Sequence, residues 1–439
     1  MSKELNREIR NKFFKYVIPS VLSMWVFTIY TMVDGMFVAK GVGESALAAV
    51  NISMPLINIT FGLGILFAVG ASIKASIFKG QNNDYEANKV FTNSFVTVFI
   101  LALIFSLLTF FNLDVLAKLL GSSKETHHYV IDYLSIIILF IPFYMTSYNF
   151  EVLIKADGFP KKAVVTMLIG AGTNIFLDYI FVIILNLGVK GAAFATGLSQ
   201  LFAFLIFIGH FLSSKSSFNF VRIKWNFKNA ISLAKLGIPD SLTEFSIASV
   251  IFMYNKTIIS HMGNDGVIIY TVIAYVSQLV LMTMIGINQG MQPLVSYYYG
   301  KSEDKKYTYI FKVALRSAMF ASLTAFLIGI IFPGPIVSLF IDQSKNPQLY
   351  LQATKAFKIF STSYLPLGIV IILYGYFTAL EQTMYALIIS VTRGFIFVAL
   401  ALAILPSVYG DLGLWLSMTL SETLALALGL TLYYKYLNT

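Results

Sequence analysis

The chain has no cysteine, few charged residues and no long polar segment, and each of these absences excludes a class of protein. Without cysteine there is no disulfide, no thiol chemistry and no Cys-ligated metal. Only 12% of the 439 residues are charged, against about 25% in a typical soluble domain. No polar stretch is long enough to form a separate soluble domain, and we expect no removable signal peptide behind the polar first fifteen residues.

The sequence consists mainly of long hydrophobic segments. Hydrophobic residues make up 57% of it and the mean hydropathy is +0.77. Apolar runs of about twenty residues or more recur throughout, which predicts an all-α integral membrane protein with twelve transmembrane helices. We expect the helices at about 14–38, 47–75, 90–113, 128–152, 163–187, 190–213, 230–260, 266–296, 308–333, 351–377, 384–406 and 409–434.

Lysine and arginine are distributed unevenly between the loops. With the N-terminus inside, 22 of the 31 lie on the inner side and seven on the outer side, while Lys256 and Arg393 fall within predicted helices. This asymmetry predicts a multi-pass protein of the cell (inner) membrane with both termini in the cytoplasm. The net charge of +10 then reflects topology in the lipid bilayer, and we expect no nucleic-acid partner.

The two halves of the chain repeat each other. A shift of 220 residues aligns them without a gap over residues 18–91, and a shift of 222 aligns their ends. Six helices in each half predict a parallel repeat, with two lobes related by a pseudo-twofold axis along the membrane normal. We expect an N-terminal lobe at 1–213, a cytoplasmic linker at 214–229 and a C-terminal lobe at 230–439. The matched pairs include Pro19 with Pro239, Gly70 with Gly290, Gly80 with Gly300 and Gly188 with Gly410.

Two carboxylates stand alone in apolar helices of the first half. Asp34 is the only charge in residues 17–38, and Asp178 is the only charge in 163–189. A charge at the centre of a transmembrane helix costs about 2.5–3.5 kcal/mol on insertion scales, so such a group usually has a function. Tyr30 and Asn174 each lie four residues before one of the acids, on the same helix face.

These side chains are expected to lie at one depth in the membrane. At about 1.5 Å per residue, both acids lie roughly 22–26 Å from the inner edge, and Thr196 on the returning helix reaches the same layer. In the second half Asp34 aligns with Tyr254 and Thr196 with Met418. We therefore expect ion coupling in the first lobe alone.

The chemistry of this group leaves two interpretations open. Two carboxylates in a low-dielectric pocket do not both ionise cheaply, so the pair is expected to take up a proton or to hold Na⁺ between hard oxygen ligands. The alternative is a structural cluster that fixes three helices together. We expect no cofactor other than the coupling ion, and no metal site beyond possible Na⁺ at Asp34 and Asp178.

Several segments resemble the multidrug and toxic compound extrusion (MATE) family, nearest its DinF-like branch and drug-exporting relatives. They are VDGMFVAKGVGESALAAVNISMP, GLGILFAVGASIKASIFKGQNND, NFEVLIKADGFPKKA and GINQGMQPLVSYYYGKSED. The resemblance runs the length of the chain and implies an efflux antiporter driven by H⁺ or Na⁺. It also implies a proton- or Na⁺-binding network at Tyr30, Asp34, Asn174, Asp178 and Thr196. Pro19 matches the proline at which the first helix of that family bends.

Substrate-binding candidates are less specific. Glu244 in the seventh helix is expected to contact a cationic substrate, to pair with a basic residue, or to lie at the lipid interface. Four amides on helices 2 and 8, which are Asn58, Gln278, Asn288 and Gln292, are candidates for lining a central cleft, and polar bonding between helices is an equal alternative. Three further charged residues are expected to pair within the bundle or to face the cytoplasm, which are Glu422, Arg316 and Arg393.

The sequence thus predicts a monomeric secondary antiporter that exports small amphipathic, often cationic, organic substrates. The nearest alternative is a lipid-linked oligosaccharide flippase of the same superfamily, which usually carries several basic residues in its cavity. A channel is disfavoured by the repeat and the buried acids. No nucleophile–base pair, metal-ligand spacing or phosphate loop points to an enzyme, so we expect no catalytic residues.

Overall fold

The structure of the chain, a computed structural model, describes residues 2–438, and of Glu44 it describes the backbone only. The described residues form twelve long helices, α1–α12, as the apolar runs predicted. Those of the first half are Lys3–Gly41, Glu44–Gly80, Asp84–Phe111, His127–Ala156, Pro160–Ile184 and Gly188–Phe211. Those of the second half are 227–262, 264–300, Asp304–Ile331, 347–379, 383–409 and 411–437.

Two glycines divide what are otherwise uninterrupted helical stretches. Phe227–Gly300 has 74 residues, or about 110 Å at 1.5 Å per residue, far more than the roughly 30 Å of a bilayer core. It breaks at Gly263, where φ is 64° and ψ is −151°. The last stretch breaks at Gly410 with φ 57° and ψ −136°. Glycine reaches positive φ without a steric penalty, so each stretch turns back as two spans.

Other helices deviate locally. α10 consists of Pro347–Ser361 and Tyr364–Ala379, which meet at a bend of 40°. α1 starts at Lys3 rather than near residue 14, so the polar N-terminal residues are helical too. Short π-helical turns occur over Tyr179–Ile184 in α5 and over Thr392–Ile396 in α11.

The chain forms two compact units that are not contiguous halves. One unit holds Ile18–Gly237 and Ser296–Glu303, and the other holds the described residues up to Val17, Ile238–Val295 and those from Asp304 onward. α1 is thus divided at Val17, just before Pro19, and α7 at Gly237, just before Pro239. The expected lobe boundaries at 213 and 230 stay a prediction.

Glycine contacts explain this division. A Cβ on Gly70 of α2 would collide with the carbonyl oxygen of Leu233, in the first turns of α7. A Cβ on Gly290 of α8 would lie 2.7 Å from the Cα of Val17, in the first turns of α1. The start of each of these helices therefore packs against the second helix of the other repeat.

Candidate functional site

Five side chains that the sequence placed at one depth come together in the first half of the chain. They are Tyr30 and Asp34 of α1, Asn174 and Asp178 of α5, and Thr196 of α6. The hydroxyl group of Thr196 donates to Oδ1 of Asp34 at 3.4 Å and accepts from Nδ2 of Asn174 at 3.5 Å. Both distances are at the long end of the range for hydrogen bonds, so Thr196 links the two acidic helices loosely.

Asp178 is the least satisfied group of the cluster. Its side chain is buried, and among residues 2–438 no hydrogen-bond donor reaches either of its carboxylate oxygens. The carboxyl group of Asp34 lies beside it. Since an ionised, buried carboxylate without a donor is costly, the arrangement favours a proton shared by the two acids or a cation held between them. The buried Oδ1 of Asn174, which also lacks a donor in this part of the chain, is a further ligand for a hard cation.

The backbone next to the acids differs between the two helices. α5 changes from an α-helix to a π-helix directly after Asp178, a feature that is frequent at functional sites. α1 runs from Lys3 to Gly41 as one helix with Pro19 inside it. Because proline has no N–H, the carbonyl group of Lys15 lacks its intrahelical partner there. A bend at Pro19 stays a prediction.

Two neighbours of the acids escaped the sequence analysis. Gln200 lies beside Tyr30, and the buried Tyr133 of α4 lies near Tyr30 and Asp34. Gln200 follows Thr196 by four residues, so helical spacing was a usable signal. Tyr133 lies in an apolar run and offered none.

The second half lacks the acid pair at the equivalent positions and has a buried ion pair elsewhere. Tyr254, the counterpart of Asp34, is fully buried and stacks on Tyr270 at 4.8 Å between ring centroids. The expected pairing of Arg393 and Glu422 is confirmed, since Nε of Arg393 donates to both carboxylate oxygens at 2.8 and 3.0 Å. A cavity of about 90 Å³ lies beside this pair, with Gln278 in its lining.

Another pair of acids lies on α7. Asp240 is buried, and Nε2 of Gln292 on α8 lies 3.3 and 3.5 Å from its two carboxylate oxygens. Glu244 is partly buried one turn further on, with Asp240 as its charged neighbour. Asp240 was not predicted from the sequence, although its spacing of four residues from Glu244 was a signal. Lys256 is exposed, and within the described ranges no ion pair joins it to Glu244.

The remaining amide candidates lie in different environments. Gln292 connects α7 to α8, which fits the polar-bonding interpretation. Asn288 is fully buried against Gly375, and neither of its amide atoms has a hydrogen-bond partner within residues 2–438. Asn58 is exposed on α2. In the part of the chain that the structure describes, no three His, Cys, Asp or Glu side chains cluster as metal ligands.

Comparison with known proteins identifies the family. The MatE family model matches residues 19–180 and 241–403, one match in each repeat. The chain belongs to the MatE family. The first matched range includes Asp34 and Asp178, and the second includes Glu244 and Arg393.

Relatives of this MatE protein cover nearly its whole length. The multidrug export protein MepA of Staphylococcus haemolyticus (strain JCSC1435) is 27% identical over 425 residues, 96% of this chain and 93% of the relative. MepA of Staphylococcus aureus (strain MSSA476) is 28% identical over 427 residues, 95% of this chain and 92% of the relative. These relatives are transporters and not enzymes, in agreement with the prediction from the sequence.

A solved structure shows the same fold. An outward-facing multidrug resistance MATE family transporter of the MOP superfamily superposes with a TM-score of 0.92. The match covers 98% of this chain and 96% of the other at 20% identity. The all-helical, two-repeat membrane architecture predicted from the sequence is therefore confirmed.

Proposed function

We propose that this MatE protein is a secondary antiporter that exports amphipathic, often cationic, organic compounds. The inward flow of H⁺ or Na⁺ would drive export by alternating access. Family membership and the multidrug-export relatives support the transport direction and the substrate class. We place the protein in the cell membrane with both termini in the cytoplasm, which the distribution of Lys and Arg supports. We propose that it acts as a monomer.

One observation carries the coupling proposal: the buried carboxylate of Asp178 has Asp34 beside it and no donor among the described residues. Uptake of one cation neutralises half of the negative charge of the pair and gives the carboxylate of Asp178 a partner. Release of the cation restores two neighbouring negative charges, which is unfavourable in a low-dielectric site. The site therefore distinguishes two protonation or ion-bound states.

The proposed cycle uses this difference. The ion enters from the outside and binds at Asp34 and Asp178, α1 rearranges near Pro19, and the substrate leaves. The protein then faces inward, the ion dissociates into the cytoplasm and new substrate binds. Export requires the ion and the substrate to prefer different states, because tight binding to both states shifts no equilibrium.

The second half supplies a candidate contact for the substrate. Asp240 and Glu244 place two carboxylates one turn apart on α7, and the chain is rich in methionine and phenylalanine, with 15 and 39 residues. Carboxylates attract an organic cation, and aromatic and thioether groups accommodate flat apolar molecules. A lipid-linked oligosaccharide flippase has less support, since Arg393 is neutralised by Glu422 and Lys256 is exposed.

The test is export of a fluorescent organic cation such as ethidium from proteoliposomes under an imposed pH or Na⁺ gradient. We expect Asp34→Asn and Asp178→Asn to lose gradient-driven transport. Asp132→Asn is the matched control, because Asp132 is a carboxylate of the same half that pairs with Lys190 at 3.1 Å and is 38% exposed. The gradient that drives the wild type identifies the ion. Wild-type rates in both site variants would show that the coupling site lies elsewhere.

A further inference from the structure

A basic cavity lies at the inner ends of α2 and α3, away from the acid pair. Its volume is about 460 Å³, and its walls come from α2, α3, the linker and the first turns of α7. Four cationic side chains line it, which are Lys74, Lys89, Arg222 and Lys224, and the one carboxylate in the lining belongs to Glu86. This cavity is hereafter the basic groove.

The single acid of the basic groove is already neutralised. Oε1 of Glu86 lies 2.7 Å from Nζ of Lys89. Arg222 and Lys224 are exposed at the rim, and neither makes an ion pair with any residue that the structure describes. Concentrated positive charge in a concave surface attracts anions, so the groove has the electrostatics of an anion site.

The linker holds these cations in fixed places. The amide N–H of Val221 donates to Oγ1 of Thr92 at 3.1 Å, and Nε1 of Trp225 donates to Oγ1 of Thr97 at 3.1 Å. Arg222 and Lys224 lie between these two attachments to α3. Their backbone is therefore ordered before a ligand arrives, which reduces the entropy lost on binding.

A buried amide in the groove identifies a second feature of the ligand. Asn93 is 6% exposed and lies in the lining, and its Oδ1 has no donor among residues 2–438. A ligand that satisfies this oxygen has a hydrogen-bond donor, such as a hydroxyl group. A phosphate diester with a hydroxylated head group combines both features.

The surroundings of the groove favour a lipid over a soluble phosphate compound. Trp225 is 48% exposed and Phe227 is 64% exposed at its edge, and exposed aromatic residues are enriched where a membrane meets water. Phe78, Val90 and Leu233 add apolar surface to the lining. The uneven distribution of Lys and Arg places this end of the helices at the cytoplasmic leaflet, where anionic lipids attract basic segments.

We propose that the basic groove binds the head group of an anionic glycerophospholipid of the cytoplasmic leaflet. Its phosphate group contacts Arg222 and Lys224, and a head-group hydroxyl donates to Asn93. This proposal does not depend on the identity of the coupling ion or of the exported substrate.

The first test measures lipid retention by the purified full-length protein with native mass spectrometry. Phosphatidylglycerol and phosphatidylcholine are the probes, and we expect preferential retention of phosphatidylglycerol. The double variant Arg222→Gln/Lys224→Gln should weaken this retention about 30-fold, from roughly fivefold for each basic residue. Lys118→Gln/Lys124→Gln, which removes two lysines from the opposite end of the helices, is the control and should behave as wild type.

Further arms separate the alternatives. Arg222→Lys/Lys224→Arg keeps the charge and should keep the lipid, which excludes a folding defect as the cause of loss. Phosphatidylethanol is an anionic diester without a head-group hydroxyl, and Asn93→Val should remove the preference for phosphatidylglycerol over it. Equal retention of anionic and zwitterionic lipid, unchanged retention in the Gln double variant, or displacement by millimolar glycerol 3-phosphate would each overturn the proposal.

Discussion

Gly80 and Gly300, which occupy equivalent positions in the two repeats, each lie against the backbone of the other's helix. A Cβ on Gly80 would collide with the carbonyl oxygen of Tyr297, and a Cβ on Gly300 with that of Ile77. The last turns of α2 and α8 thus pack at a distance that only glycine permits. The contact is symmetric, because each glycine packs on the equivalent turn of the other repeat.

Alanine at either glycine should therefore destabilise the protein. We expect Gly80→Ala and Gly300→Ala each to cost about 1–3 kcal/mol, since the obstacle is backbone rather than a side chain that can rotate away. Thermal unfolding in detergent is the measurement. Gly209→Ala is the control, because no atom lies within 4 Å of a Cβ there, and it should be neutral or slightly stabilising. A normal midpoint for Gly80→Ala would contradict the close packing.

Thr196 should matter for ion binding through its hydroxyl group alone. Thr196→Ser keeps the donor to Asp34 and should retain transport. Thr196→Val keeps the shape but removes a donor that stabilises the ionised form of Asp34. Where H⁺ is the driving ion, we therefore expect a higher apparent ion affinity, by up to roughly 10-fold for one long hydrogen bond to a charged group. The measurement is transport rate as a function of the driving ion's concentration. Equal affinity in the Ser and Val variants would show that the hydroxyl group takes no part.

The sequence predicted this site because helix geometry is simple. Spacing of four residues placed Tyr30 with Asp34 and Asn174 with Asp178, and a constant rise per residue placed both acids and Thr196 at one level. Tyr133 was not predictable from the sequence, because only tertiary packing brings α4 close to the two acids. Asp240 was predictable by the same rule, since it lies four residues before Glu244, but it was not predicted.

The number of helices was predictable from the sequence, and the close packing of particular helix ends was not. Apolar length and charge placement give twelve spans, since each span must cross the bilayer. The close approaches of Gly70 to Leu233 and of Gly290 to Val17 depend on which helices meet in space. Sequence pattern alone does not show which helices come into contact.

Substitutions of Arg393 and Glu422, which form a buried ion pair, should have strongly non-additive effects on the free energy of unfolding. Glu422→Gln leaves a buried guanidinium group without its counter-charge, and we expect a loss of about 3–5 kcal/mol. Arg393→Met/Glu422→Leu removes both charges and should recover most of that loss. Chemical or thermal unfolding of Arg393→Met, Glu422→Leu and the double variant gives the coupling energy. Additive losses would mean that the two charges do not depend on each other.

Asp157 should fix the start of the linker. Its Oδ1 accepts from the amide and hydroxyl groups of Ser217 at 2.8 and 2.6 Å, and its Oδ2 lies 2.7 Å from Nε2 of His210. We expect Asp157→Asn to speed amide hydrogen exchange at residues 214–218 by roughly 10-fold or more, from the weakening of a bond to a buried charged group.

Asp342→Asn is the matched control for Asp157→Asn. Asp342 accepts from the amide and hydroxyl groups of Ser344 in the same way, at 2.9 and 2.6 Å, but in an exposed loop. Those hydrogen bonds hold the pKa of Asp342 below its usual range. Asp342→Asn should leave amide hydrogen exchange at residues 214–218 unchanged. If exchange there is also unchanged in Asp157→Asn, then Asp157 does not hold the linker in place.

The first turns of α7 pack on α2, and the first turns of α1 pack on α8, so the two repeats exchange the starts of their first helices. A single repeat on its own would leave Gly70 or its equivalent without the helix that covers it. Two separate copies would satisfy both glycines by exchanging the starts of their first helices, as in a domain-swapped dimer. For the same reason, two fragments of this chain cut between Ser217 and Trp225 should still assemble when they are expressed together.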